Sequence, residues 1–307
     1  MAKIKKMNKV DKYIASLNEL TGKTVIITGA NSGLGYEIAR VALLKHAHVV
    51  MACRNKQRAE EAKTKLISDV ESENISIELF DQSKIESVET FAKRIIEKYR
   101  DFYALVLNAG IFLPTEIVDE YHVSNVYKTN FLGPYRLVSC LKGFLEQSEL
   151  ERKIIIQGSV ASFRYKYKNK DSFIYGEDAP LKQYALSKLC VSNLYVHFKN
   201  NNFNPYVKYL LCEPGVAYTN LFHNFKEWFK KIAFPFLKFF TNSAREGSLS
   251  ACKLMCDVTS NGDYYRPGGI FTAIGLPKKG KYSKKAIFPE IIKDAEEALK
   301  NYGTTKQ

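Results

Sequence analysis

The chain has 307 residues, 46% of them hydrophobic, which is enough for one sizeable core and excludes general disorder. Its formal charge is +14, but the 46 lysines and arginines are spread along the chain without a recognisable nucleic-acid module, so no nucleic-acid partner is expected. The six cysteines, at 53, 140, 190, 212, 252 and 256, contain no C-x-x-C pair; neither a disulfide framework nor a zinc site is indicated, and no metal is expected.

Residues 1–20 form a Lys-rich arm without a continuous apolar run, and no later stretch approaches the roughly 18 apolar residues of a spanning helix. The expectation is a cytoplasmic protein, soluble or peripheral to a membrane. The arm should pack as a short helix, with residues 21–307 forming one domain.

The next stretch, residues 23–54, organises the chain. Thr24-Val25-Ile26-Ile27 is a β-branched run, residues 36–44 carry apolar side chains at helical spacing, and His48-Val49-Val50-Met51-Ala52 reads as a second buried strand. That is a βαβ unit, which implies a parallel sheet. Its turn, Thr28-Gly29-Ala30-Asn31-Ser32-Gly33-Leu34-Gly35, has glycines that let backbone approach a pyrophosphate and a helix start whose amides favour negative charge, with the anion near Leu34. The second strand ends in Cys53-Arg54-Asn55, where dinucleotide folds that use NAD commonly place an acidic residue against the ribose 2′-hydroxyl. A guanidinium there pairs with a 2′-phosphate instead, and Lys56 and Arg58 thicken the positive patch, so the reading is NADP(H) rather than NAD.

The glycine spacing Thr28-Gly29-x-x-x-Gly33-x-Gly35 resembles the cofactor motif of the short-chain dehydrogenase/reductases, and the chain downstream keeps agreeing with that family. Residues 75–80 read as the third strand, followed at once by Asp81-Gln82. The resemblance makes this pair cofactor contacts, with Asp81 on the adenine amine; Asp81 can equally cap the helix 84–98. The fourth strand, 104–107, ends in Asn108-Ala109-Gly110, similar to the family's N-A-G signature beside the cofactor. A long helix, 127–140, carries Asn130, which resembles the family's helix Asn of a proton relay. After the fifth strand, 154–156, Ser159 matches the catalytic serine, with Ser162 as a nearby competitor. Tyr184-Ala185-Leu186-Ser187-Lys188 begins a helix to about residue 198, and a separation of four puts Tyr184 and Lys188 on one face. Glu213-Pro214-Gly215-Val216-x-x-Thr219 resembles the P-G motif after the sixth strand, adding Pro214, Gly215, Val216 and Thr219 to the cofactor contacts.

The resemblance covers residues 22–302, firmly in the cofactor half and loosely after Thr219. Ser159 and Tyr184 are 25 positions apart, farther than in the commonest members. Retinol dehydrogenase-like and protochlorophyllide reductase-like members carry an insertion there, and Ala52-Cys53-Arg54 resembles the A-C-R of those branches. The implied fold is a single Rossmann-type, doubly wound α/β domain. Seven parallel strands are expected in the order 3-2-1-4-5-6-7, the last near residues 269–273, with a C-terminal helix over 289–300.

The implied activity is hydride transfer between NADP(H) and a carbonyl or alcohol, with Tyr184 as general acid and base. Lys188 is placed to lower its pKa, Ser159 to hold the substrate oxygen, and Asn130 and Lys188 to pass protons to solvent. The rival reading is a catalytically idle NADP-binding sensor or scaffold. Residues 221–243 are expected to form a lid; within them, Phe222, Phe225, Trp228, Phe229, Phe236, Phe239 and Phe240 interleave with lysines. That composition points to a lipophilic or aromatic substrate, and it is also compatible with a homodimer contact or an anionic membrane surface.

Overall fold

The computed structural model describes residues 7–168, 170–215, 242–269 and 274–303. The chain runs α1 (Lys9–Ala15), β1 (Thr24–Thr28), α2 (Gly33–Leu44), β2 (His48–Cys53), α3 (Lys56–Val70), β3 (Ile75–Leu79), α4 (Ile85–Lys98) and β4 (Ala104–Leu107). It continues through α5 (Asn125–Tyr127), a π-helical turn (Lys128–Leu132), α6 (Gly133–Glu146), β5 (Arg152–Gln157), α7 (Lys170–Ile174), α8 (Pro180–Asn200) and β6 (Val207–Cys212). The last elements are α9 (Ala244–Cys256), β7 (Tyr264–Pro267), β8 (Pro277–Lys279) and α10 (Glu290–Gly303).

Side chains alternate across a strand, so each apolar run feeds two cores. Ile26, Val50, Leu105, Ile154, Ile156 and Leu211 face α4, α6 and α8 in one cluster. Val25, Ile27, Val49, Met51, Val106, Ile155 and Leu210 face α2, α3 and α9 in the other. These are the two sides of one sheet, which explains why β1, β2, β4 and β5 read as near-continuous apolar segments. Ile14, Leu17 and Leu20 are buried in the second cluster, and Asp11 of α1 pairs with Arg245 of α9, so residues 7–20 pack onto the body. No helix among the described residues is long and apolar enough to cross a membrane.

The sheet order is β3-β2-β1-β4-β5-β6-β7-β8, with the first seven strands parallel as expected. The seventh strand, however, lies at Tyr264–Pro267, ahead of the expected 269–273, of which 270–273 fall outside the described residues. Pro267 cannot donate to a ladder and closes the strand. An eighth, antiparallel strand then returns along it, its hairpin held by Gly268 N–H to Leu276 O (2.9 Å) and Gly269 N–H to Ile274 O (2.9 Å). The helix expected over 127–140 extends from Asn125 to Glu146 and is interrupted by the π-helical turn around Asn130.

Candidate active site

Open parallel sheets place ligands at the carboxyl ends of their strands, and the sequence-predicted residues within the described segments collect there. The glycine turn leaves β1 with Gly29 at φ 67° and Gly33 at φ 56°, a left-handed backbone in which a side chain is strained. Gly35 has a different reason to be glycine: a Cβ there would lie 2.3 Å from Gly29 O and 2.6 Å from Asn108 Nδ2. Ser32 is extended, makes no side-chain cap bond, and no acidic residue occupies the first turn of α2. The amides beginning at Gly33 and Leu34 therefore stay open and electropositive. Beneath the turn, the Cys53 thiol lies against the Ala30 and Asn31 amides, and burial pushes it up to about 11.

Asn108 fastens this turn to β4, its Nδ2 donating to Thr28 O at 2.9 Å. Thr28 Oγ1 in turn accepts from the amides of Asn108 and Ala109, each at 3.0 Å. Thr28 was not among the predicted site residues, although its place before Gly29 is the signal that marks it. Arg54 is exposed at the end of β2 and makes no ion pair among the described residues. Asp81 does not cap α4, whose N-cap Lys84 makes no side-chain cap bond; its Oδ1 instead accepts from Ser83 N (3.0 Å) and Ser83 Oγ (2.6 Å) in the turn ahead of that helix. Gln82 is 4% exposed and donates to Ala109 O (3.0 Å) and Thr129 O (2.7 Å), tying β3 to the N-A-G segment and to the helix behind it.

Asn130, in the π-helical turn, clasps the backbone after Gly110. Its Oδ1 accepts from Ile111 N at 2.7 Å, while Nδ2 donates to Ile111 O at 2.8 Å and to Ser187 Oγ at 2.9 Å. Ser187, a member of the site that the sequence reading passed over, donates onward to Tyr184 O at 2.7 Å. Gly110 fits between two of these groups: a Cβ there would lie 3.1 Å from Asn130 Oδ1 and 3.7 Å from Lys188 Nζ.

The Tyr184 hydroxyl hydrogen-bonds with Ser159, whose Oγ also accepts from Ala161 N at 3.2 Å, and Phe112 meets the Tyr184 ring edge-on at 5.1 Å. Ser162 is fully buried, with no partner for its hydroxyl among the described residues, whereas Ser159 is the serine that faces the phenol. Lys188 Nζ donates to Gln157 O at 3.1 Å and is held down to about 8 by burial. One expectation differs. Burial pushes the Tyr184 phenol up to about 12, opposed by the Ser159 hydrogen bond, with no lowering by Lys188. Pro214 and Gly215 follow β6, with Gly215 at φ 71° and Pro214 O accepting from Asn242 Nδ2 at 2.8 Å. Val216, Thr219 and positions 221–241 of the expected lid lie outside the described residues.

This arrangement can be set against known proteins. The family model for short chain dehydrogenase matches residues 23–230, more than half of the chain. The WW domain-containing oxidoreductase of Gallus gallus is 27% identical over 258 residues, covering 80% of this chain and 62% of that protein. Retinol dehydrogenase 14 of Homo sapiens is 27% identical over 215 residues, covering 65% of this chain and 63% of its own length. The chain thus spans under two thirds of the length of these relatives. Among solved structures, an alcohol dehydrogenase from Thermococcus sibiricus complexed with 5-hydroxy-NADP superposes with TM-score 0.58 at 24% identity, covering 79% of this chain and 95% of that one, a likeness of fold. With a matched model over its cofactor half and relatives over most of its length, the chain belongs to the short chain dehydrogenase family.

Proposed function

We propose that the protein is an NADP(H)-dependent oxidoreductase that interconverts a carbonyl and an alcohol on a lipophilic or aromatic substrate. The observation that carries this reading is the convergence of Ser159, Tyr184, Lys188 and Asn130 at the ends of β4, β5 and β6, beside an open glycine turn. The turn suits a pyrophosphate: amides at the start of α2 are uncapped, and Gly35 leaves no room for a side chain between Gly29 and Asn108. Exposed Arg54 favours a 2′-phosphate. The reduced nicotinamide, when bound, supplies the hydride.

The chain's own residues then manage one proton and one oxygen. Ser159 Oγ and the Tyr184 hydroxyl, already hydrogen-bonded to each other, hold the carbonyl oxygen between them, and Tyr184 gives it a proton in reduction or takes one in oxidation. In this reading Lys188, whose ammonium burial holds down to about 8, and Asn130 pass that proton between Tyr184 and solvent. The substrate class rests on the aromatic composition of residues 221–240.

The raised Tyr184 pKa supports a second reading, an idle NADP-binding scaffold, because a phenol pushed to about 12 is a poor proton donor and is almost wholly protonated, hence unavailable as a base, at neutral pH. NADPH oxidation against a panel of long-chain aldehydes, aromatic ketones, quinones and small polar carbonyls separates the two. Turnover of an apolar member that Tyr184→Phe abolishes, with cofactor affinity unchanged, is the expected result. NADPH binding with no turnover of any panel member would establish the scaffold instead.

A further inference from the structure

One buried charge at the carboxyl ends of the strands has no part in the chemistry above. Glu213 follows β6 directly and precedes Pro214; it is fully buried, and both carboxylate oxygens lack a well-formed hydrogen bond among the described residues. Its neighbours come from three directions. From β7, the Tyr264 hydroxyl and the Arg266 guanidinium face it; Cys212 lies beside it on β6; and Tyr282, after β8, is close enough to feel its charge. The Tyr264 hydroxyl is itself buried without a well-formed partner, so the two groups approach each other imperfectly.

Behind the carboxylate lies the catalytic loop. A Cβ on Gly158 would sit 3.5 Å from Glu213 Cγ, and Gly158 N–H is bonded to Cys212 O at 2.8 Å, so the Glu213 stem is the wall against which the residue before Ser159 rests. Glu213 N–H is bonded to Tyr265 O at 3.0 Å, which fastens the start of the Pro214-Gly215 turn to β7. One residue therefore touches the serine loop on one side and begins the cofactor turn on the other.

A carboxyl buried with imperfect partners opposes folding once it ionises, and an apolar residue at this position would not. We propose that Glu213 is a positioning residue for the reaction: its carboxylate, drawn toward Arg266 and Tyr264, sets the placement of both Gly158-Ser159 and Pro214-Gly215, and taking up a proton relaxes both. The inference rests on the oxidoreductase reading of the site. Burial raises this carboxyl to about 7, so the change from neutral to charged falls at neutral pH. Because the folded-state value is raised above the ordinary 4.5, the group's contribution to stability falls as pH rises from about 4.5 to about 7, while the positioning it provides grows with ionisation.

The test is a pH series from about 5.5 to 9 on wild type, Glu213→Gln and Glu213→Asp, reading kcat and KM for the best carbonyl of the panel, NADPH binding by fluorescence, and thermal melting. Wild type is expected to show a limb in kcat centred near pH 7. Glu213→Gln should lose that limb and run about fivefold or more below wild type at pH 8, yet melt higher there. Glu213→Asp should restore the limb. Wild-type rate and an unchanged limb in Glu213→Gln would overturn the proposal, since a merely structural residue alters melting and leaves the limb in place. If Glu213→Gln does not fold, Arg266→Gln serves: removing the cation must move the limb to higher pH, and a fixed limb defeats the proposal. Should no carbonyl be reduced at all, the oxidoreductase reading fails on its own. NADPH binding then reports on Glu213 through the Pro214-Gly215 turn, supporting it if Glu213→Gln removes a pH dependence and refuting it if that dependence persists.

Discussion

Replacing Asn130 by Ala tests the clasp that joins the π-helical turn to the segment after Gly110. The side chain is 2% exposed and makes three hydrogen bonds, of 2.7, 2.8 and 2.9 Å, two of them to the amide and carbonyl of Ile111. A net hydrogen bond contributes about 0.5–1.5 kcal/mol, and a buried group left unpaired costs about 1–3 kcal/mol. Ile111 is only partly buried and Ser187 keeps its bond to Tyr184 O, so the loss should be about 2–4 kcal/mol, below the simple sum. At about 2–4 °C per kcal/mol for a domain somewhat smaller than this one, melting should fall by roughly 5–10 °C. Asn130→Asp is the sharper control. It keeps an acceptor for Ile111 N–H but turns the donor into an oxygen facing Ile111 O and Ser187 Oγ, and it buries a charge, so it should be at least as damaging. Ser187→Ala removes one acceptor and should cost only about 1 kcal/mol. Scanning calorimetry on the three variants decides the matter; an Asn130→Ala protein melting within about 1 °C of wild type would falsify the claim that this clasp is a principal tie of the site.

Other outcomes follow from single residues. Gly35→Ala forces a Cβ to within 2.3 Å of Gly29 O, so the turn must open; overpacking of about 1–3 kcal/mol should appear in melting, with NADPH binding weakened tenfold or more by fluorescence titration. Arg54→Asp should shift preference from NADPH toward NADH by about 1–3 kcal/mol, measured by titrating both cofactors, and an unchanged preference removes Arg54 as the 2′-phosphate contact. Lys153, fully buried, donates to Leu254 O (3.0 Å), Met255 O (3.3 Å) and Asp257 O (2.6 Å) at the end of α9, and burial holds it down to about 8. Between that value and the ordinary 10.5 the unfolded chain binds more protons, so this lysine's contribution to stability rises with pH across the window, by about 3 kcal/mol. Denaturant melts of wild type and Lys153→Met at pH 8 and 10.5 should therefore diverge in favour of wild type at the higher pH, and parallel curves would remove the assigned pKa.

What was legible in the sequence was local. The glycine turn, the apolar strands and the four-residue separation of Tyr184 and Lys188 each state their geometry within one element or one turn, because backbone conformation and helical periodicity are properties of neighbouring residues. The order of the first seven strands followed as well, since parallel strands with right-handed crossovers leave few alternatives. What only the tertiary structure decided depends on residues distant in the chain. Asp81 and Gln82 are adjacent in sequence, yet one closes a turn onto Ser83 ahead of α4 while the other is buried as a tie to Ala109 and Thr129. The polar, tyrosine-rich run 264–266 is a strand because β6 and β8 flank it, and the π-helical turn exists where Asn130 must reach Ile111. The phenol's rise to about 12 and the carboxyl's to about 7 are set by desolvation, and desolvation depends on every element that closes over a group, which no stretch of sequence specifies by itself.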